Sequence, residues 1–139
     1  MRIMAIDYGD AHTGIAISDP TGFLAGFTTT VDAYRPEVVA DRVAALAREH
    51  GVEELVLGHP KNMDGSLGPR AEKAAAMAEL LKETTGLPVV LWDERRTTID
   101  AHQILMAGGK NAKKRKKTVD AVAASLILEG YLTYKKSHG

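Results

Sequence analysis

The feature that most constrains the fold lies near the amino terminus, where Arg2-Ile3-Met4-Ala5-Ile6 runs into Asp7-Tyr8-Gly9 and Thr13-Gly14-Ile15-Ala16-Ile17-Ser18 follows. An apolar run that ends on an acid, turns through glycine and returns as a second β-branched run predicts a hairpin of two strands, 2–6 and 13–18. Asp7 then stands at the end of a central strand, where rigid backbone holds a carboxylate at the rim of a sheet and where α/β proteins place their ligands. Two readings of Asp7 stay open from the hairpin alone. It is a chemical group, or it is a turn residue whose side chain caps its own backbone.

Downstream, Asp19-Pro20-Thr21-Gly22 is a turn, and a third strand is expected over 25–30, antiparallel to the second. Arg35-Pro36-Glu37 opens a helix whose Val39, Val43, Leu46 and Ala47 form a stripe at helical spacing before Gly51. A fourth strand, 54–57, ends at Gly58-His59-Pro60. The polar, glycine-rich stretch 61–68 then leads to a helix opening at Pro69-Arg70, with Ala74, Ala75, Ala78 and Leu81 on its packing side. His59 and Asp64 can be read as metal ligands or as residues of a turn and a helix start. The fifth strand, 88–92, is apolar enough to expect cover on both faces, and it runs into Asp93-Glu94-Arg95-Arg96. Thr97-Thr98-Ile99-Asp100 then opens a helix that should end near Gly108-Gly109.

The stretch 110–117 reads as a loop and holds Lys110, Lys113, Lys114, Arg115, Lys116 and Lys117, six of the eighteen basic residues. It is either a solvated loop or a segment whose mutual repulsion is relieved by a phosphate backbone, with release of counterions. Aromatic residues are 5% of the chain and are not interleaved with these cations, so phosphate contact is expected rather than base stacking. Thr118 is the expected cap of a last helix carrying Val119, Val122, Ala123, Leu126 and Ile127 on one stripe. Asp120 falls on the border of that stripe. It leans toward the sheet, or it is a first-turn acid favoured by the macrodipole.

Composition narrows the chemistry. A chain of 139 residues, 45% hydrophobic and 26% charged, is expected to form one domain around one core. With no cysteine, disulfides and zinc-thiolate sites are excluded, and any metal must be held by oxygen or imidazole. The absence of an apolar leader and of a span of about 20 apolar residues predicts a chain that is neither exported nor membrane-spanning. Formal net charge is zero, so partners must be read from the distribution of charge rather than its sum.

Three carboxylates at element ends, Asp7, Glu94 and Asp120, can converge in such a layout. If the first and fifth strands are parallel neighbours, Asp7 and Glu94 leave the same sheet edge and the last helix brings Asp120 over it. Such a cluster repels itself unless it holds a cation. Mg²⁺ takes oxygen ligands at about 2.0–2.1 Å and keeps several waters. Two ions about 3.5–4 Å apart activate a water and stabilise a leaving oxygen at phosphorus. The predicted chemistry is phosphodiester hydrolysis assisted by two Mg²⁺ or Mn²⁺ ions, with the basic stretch holding the polyanion.

Taken together, Ile6-Asp7-Tyr8-Gly9, Gly14-Ile15-Ala16, Ser18-Asp19, Asn62-Met63-Asp64-Gly65-Ser66, Gly68-Pro69-Arg70, Asp93-Glu94-Arg95 and Asp120-x-x-Ala123-Ala124-x-x-Ile127-Leu128 resemble the YqgF family. These are the Holliday-junction-resolvase-like nucleases of the ribonuclease H fold, and the match covers almost the whole chain. The resemblance implies an α/β fold with a five-stranded mixed sheet, its first three strands antiparallel, flanked by helices on both faces. It implies a cytoplasmic nuclease that processes the 5′ end of pre-16S rRNA in ribosome biogenesis, acting on structured RNA in a pre-ribosomal particle or on branched DNA. By position, Asp7, Glu94 and Asp120 resemble the metal-binding catalytic acids, Asp7 bridging the ions. Asp93 is set aside because side chains alternate along a strand. Arg70 and Arg95 resemble phosphate or structural contacts, beside Lys113, Lys114, Arg115, Lys116 and Lys117. The chain departs from the family pattern at Ala11-His12, at His59 and at Arg96, none of which is one of the three acids.

Three other readings compete. One is a resolvase of four-way DNA junctions, which favours a two-fold homodimer over a monomer because two strands must be cut symmetrically. The second is a non-catalytic nucleic-acid-binding module of ribosome assembly. The third is an actin-like ATPase, whose phosphate loop the Asp-x-Gly hairpin also resembles; that architecture needs two such domains, and the chain has room for one.

Overall fold

A computed structural model describes residues 2–19, 25–59, 68–93 and 112–138. Its strands are β1 (Ile3–Asp7), β2 (His12–Ser18), β3 (Ala25–Asp32), β4 (Glu54–His59) and β5 (Val89–Asp93). The helices among the described residues are α1 (Pro36–His50), α2 (Pro69–Thr85) and α3 (Ala112–His138). The strands form one mixed sheet in the order β3-β2-β1-β4-β5. β1, β2 and β3 are antiparallel in sequence, while β1 with β4 and β4 with β5 are parallel. β1 is therefore the central strand, as the hairpin predicted.

Strand alternation divides the interior into two layers. Met4 and Ile6 of β1, Ile15 and Ile17 of β2 and Leu55 and Leu57 of β4 pack with Val39, Val43, Ala74 and Leu81 of α1 and α2. The intervening Ile3, Ala5, Ala16, Val56 and Trp92 pack on the opposite face with Ala124, Ile127, Leu128, Tyr131 and Leu132 of α3. The small side chains Ala71, Ala74 and Ala78 are all buried along α2 and admit it close to the sheet. At the foot of β1, the Ile3 N–H donates to the buried Ser18 Oγ at 2.9 Å, which closes the open end of the hairpin.

Several sequence expectations need correction. β1 and β5 are not neighbours, because β4 lies between them and pairs in parallel with each; the two strands nevertheless end on the same edge. β5 is an edge strand rather than one covered on both faces, and Leu91 is 41% exposed. β4 runs on through His59, which the sequence assigns to a turn.

The last helix begins at Ala112, so Lys113 to Lys117 lie in its opening turns and not in a loop, and Thr118 is not its cap. Alanine, lysine and arginine are good helix formers, and their propensity prevails over repulsion among the cations. The buried face of α3 is also offset from the predicted stripe: Ala124, Leu128 and Leu132 are buried, while Val122, Ala123 and Leu126 are half-buried. The expected helix over 97–109 and the loop 61–67, including Asp64, lie outside the described residues. Among the described residues no helix is long and apolar enough to cross a membrane.

Candidate active site

Asp7 is the last residue of β1 and continues the phase of Ile3 and Ala5, the face covered by α3. The chain then has to reverse tightly. A Cβ at Gly9 would run into the backbone oxygen of His12, so only glycine lets β1 fold back into β2 within this turn. Asp7 faces Gly14 across the β1–β2 pair, so its antiparallel neighbour brings no side chain beside it.

Asp120 lies in the third turn of α3, eight residues after Ala112. The macrodipole acts within the first turn, so it no longer accounts for an acid at this position. Further along the same helix, Ile127 and Tyr131 are both buried against the sheet. The helix is fixed lower down. Tyr131 Oη donates to Glu54 Oε1, and Lys135 Nζ lies 2.9 Å from Glu54 Oε2, at the start of β4. Back from Tyr131 to Asp120 the axis runs roughly 16 Å, and β1 rises roughly 13 Å from Ile3 to Asp7. Measured from Tyr131, the helix is thus long enough to span the height of β1.

Asp93 ends β5, in register with His59 of β4. Val89, two steps of the alternation earlier, packs with the α1 and α2 layer, whereas Val90 and Trp92 pack with α3. Asp93 therefore belongs to the face opposite Asp7. Glu94 and Arg95 lie outside the described residues, as does Arg96. Among the described residues no group of three or more acidic or histidine side chains is poised to hold a metal.

A cleft of about 320 Å³ adjoins the end of β1, lined by Tyr8, Gly9, Asp10 and His12 of the turn and by Arg70 and Lys73 of α2. Lys73 Nζ lies 2.9 Å from Asp10 Oδ1, tying the helix start to the turn. His12 Nδ1 lies 2.8 Å from Asp32 Oδ1, its cross-strand partner on β3. Burial, and then the Asp10 carboxylate, push the Tyr8 phenol above its ordinary pKa, so it stays a neutral hydroxyl. Arg70 is a sequence candidate, but Tyr8, Asp10 and Lys73 are not. Lys73 follows Arg70 by three residues, one helical turn, and that spacing is the signal that pairs them.

His59 is buried, and among the described residues its Nε2 has no hydrogen-bond partner. It sits in β4 in the phase of Leu55 and Leu57, on the α1 and α2 side, away from the face of Asp7.

A family model described as "RuvX: Holliday junction resolvase" matches residues 1–134. The chain is 46% identical over 140 residues to a Halothermothrix orenii protein named "Putative pre-16S rRNA nuclease", covering 100% of both chains. In fold it is similar to Thermus thermophilus RuvC solved in complex with a Holliday junction substrate, with a TM-score of 0.64, 16% identity and coverage of 97% and 96%. It is likewise similar to the fowlpox virus Holliday junction resolvase, with a TM-score of 0.58, 18% identity and coverage of 99% of each chain. The ribonuclease H-like architecture and the YqgF likeness expected from the sequence are both borne out.

Proposed function

We propose, for a chain that belongs to the RuvX family of Holliday junction resolvases, that it is a cytoplasmic nuclease hydrolysing phosphodiester bonds of structured nucleic acid. We assign it pre-16S rRNA as substrate, the RNA carried in the name of its Halothermothrix orenii relative, and its 5′ end as the site of cleavage. One observation carries this reading: Asp7 ends the central strand on the face crossed by α3, the helix whose chain includes Asp120.

Asp7, Glu94 and Asp120 would hold divalent ions. The donor set suits a hard cation, since all three are carboxylates and the chain has no thiol. When bound, Mg²⁺ or Mn²⁺ supplies charge neutralisation at the phosphate and a water of lowered pKa. The chain's own work is placement. β1 is paired on both sides as far as Ile6 and Asp7 is paired with Gly14 of β2, which holds the carboxylate still while the water oxygen bonds to phosphorus and one P–O ester bond breaks. The alkoxide that leaves takes up a proton.

The run Lys113 to Lys117 would grip the backbone away from the cut. It stands at the start of α3, where the helix has no acidic residue in its first turn and where cations oppose the macrodipole. A polyanion relieves both sources of repulsion. Arg95 joins this grip by family position. A four-way DNA junction is the second reading, favoured by the family description itself.

The test is cleavage of labelled pre-16S RNA and of a synthetic four-way junction with Mg²⁺ or Mn²⁺. Asp7→Asn is expected to cut roughly 100-fold or more slowly, as the loss of about 3 kcal/mol of transition-state stabilisation implies, with folding and binding retained. Cleavage by purified Asp7→Asn at the wild-type rate would assign the activity to something else.

A further inference from the structure

The cleft beside Tyr8 is not on the face of Asp7, and nothing in the hydrolytic step uses it. Tyr8 packs with the α1 and α2 layer, whereas Asp7 follows the α3 phase. Successive strand residues are about 3.8 Å apart at Cα and point to opposite faces. The end of β1 therefore presents two adjoining positions on either side of one sheet edge, one an acid and the other lined by Tyr8, Arg70 and Lys73.

Accepting the nuclease reading above, we propose that this cleft holds a second phosphodiester phosphate of the cleaved strand, one or two nucleotides from the bond placed at Asp7. The chemistry of the lining fits a phosphate monoanion within a chain. Among the described residues Arg70 has no ion-pair partner, and its guanidinium offers the planar fork that grips two phosphate oxygens. Lys73 supplies a point charge one helical turn on, and the phenol of Tyr8 is a neutral donor.

Asp10 keeps free anions out, because its carboxylate already pairs with Lys73 at 2.9 Å. Both members of that pair are well exposed, at 58% and 80%, so the bridge exchanges readily for a phosphate tethered to a strand already bound elsewhere. The volume of about 320 Å³ is at the small end of ligand sites, enough for a phosphate with its sugar but not for a stacked pair of bases. A grip on both sides of the sheet edge fixes the strand's direction across Asp7. A single anchor would leave it free to pivot.

The test replaces one linkage at a time by a neutral methylphosphonate in two probes, a 2′-O-methyl-protected RNA spanning the 5′ processing end and a four-way DNA junction. Binding and cleavage are measured for wild type, Arg70→Ala, Arg70→Lys and Lys73→Met. In at least one probe, wild type should lose about 10-fold in affinity at one particular linkage, which lies within two nucleotides of the cut where the probe is cleaved. Arg70→Ala and Lys73→Met should lose a similar factor on the unmodified probe and nothing further on the modified one. Arg70→Lys, which keeps the charge and lacks the fork, should recover part of the loss and serves if Arg70→Ala melts early.

If the penalty at that linkage persists undiminished in the variants while cleavage continues, the cleft does not hold the phosphate and the nuclease reading survives. If the losses are coupled as described but neither probe is cut, the cleft stands and the nuclease reading falls. Binding to neither probe overturns both.

Discussion

The Tyr131 hydroxyl donates to the Glu54 carboxylate in the interior, joining the carboxy-terminal half of α3 to the first residue of β4. Glu54 is only 8% exposed, and Lys135 at 2.9 Å is its other partner. Tyr131→Phe leaves a buried carboxylate oxygen without its donor, a loss of about 1–3 kcal/mol. Urea unfolding should show that deficit with an unchanged slope.

The same contact has a pH signature. Burial, and next the hydrogen bond to Glu54, raise the Tyr131 phenol above its ordinary value of 10.0. An acid raised by folding stabilises the native state below its unfolded pKa and loses that contribution as pH climbs toward the folded value. Wild type should therefore lose stability above pH 10 relative to Tyr131→Phe, and the two unfolding curves should converge. A constant gap from pH 8 to pH 11 would contradict this.

At Gly9 the turn leaves no room for a methyl group, because a Cβ meets the His12 backbone oxygen. Gly9→Ala must displace backbone rather than a side chain, and is expected to cost about 1–3 kcal/mol. Since Asp7 is two residues away, cleavage should fall by more than the folded fraction does. Thermal melts and rates measured side by side will separate the two effects.

Gly130 sets two effects against each other. A Cβ there would lie 3.3 Å from Trp92 Cζ2, which crowds the ring, but Gly→Ala within a helix gains about 0.8–1.0 kcal/mol of propensity. Gly130→Ala should be close to wild type in stability, within about 0.5 kcal/mol. Trp92 is the single tryptophan and touches Tyr131 and Tyr134 edge-on at 5.7 and 5.8 Å, so its fluorescence reports the crowding directly. A shifted emission at unchanged melting temperature is the expected pair of results.

Replacing Lys113, Lys114, Lys116 and Lys117 by Ala tests the grip at the start of α3. Taking these four cations away from the phosphate backbone should lower the slope of log binding constant against log salt by about 3. Helicity should hold or rise, because alanine is the better helix former and the cations oppose the macrodipole. A salt slope equal to that of wild type would place the phosphate grip elsewhere.

The parts of this molecule that follow a local period are readable in its sequence. The alternation of Ile3 to Ile6 and of Thr13 to Ser18 announces the hairpin, and a polar residue breaking an apolar strand marks Asp7. The neighbours of β1 are not local. Which strand pairs with it depends on contacts across fifty residues, and β4 takes the place the sequence suggests for β5. The start of α3 is illegible for another reason: a run of lysines has the same composition whether solvated as a loop or wound into a helix. Lys73 escapes notice because, in a helix of Ala, Glu and Lys, one more cation looks like solvated surface until the turn of β1 is seen beside it.

The placement of Asp7 and Tyr8 on opposite faces makes the reading frame of β1 a functional quantity in its own right. Deleting one residue between Ile3 and Ile6 would leave the composition nearly untouched, yet slide the carboxylate into the α1 and α2 layer and swing the phenol toward α3. The apolar residues of this strand can be exchanged for others of like volume, but their number cannot change by one without exchanging the two faces.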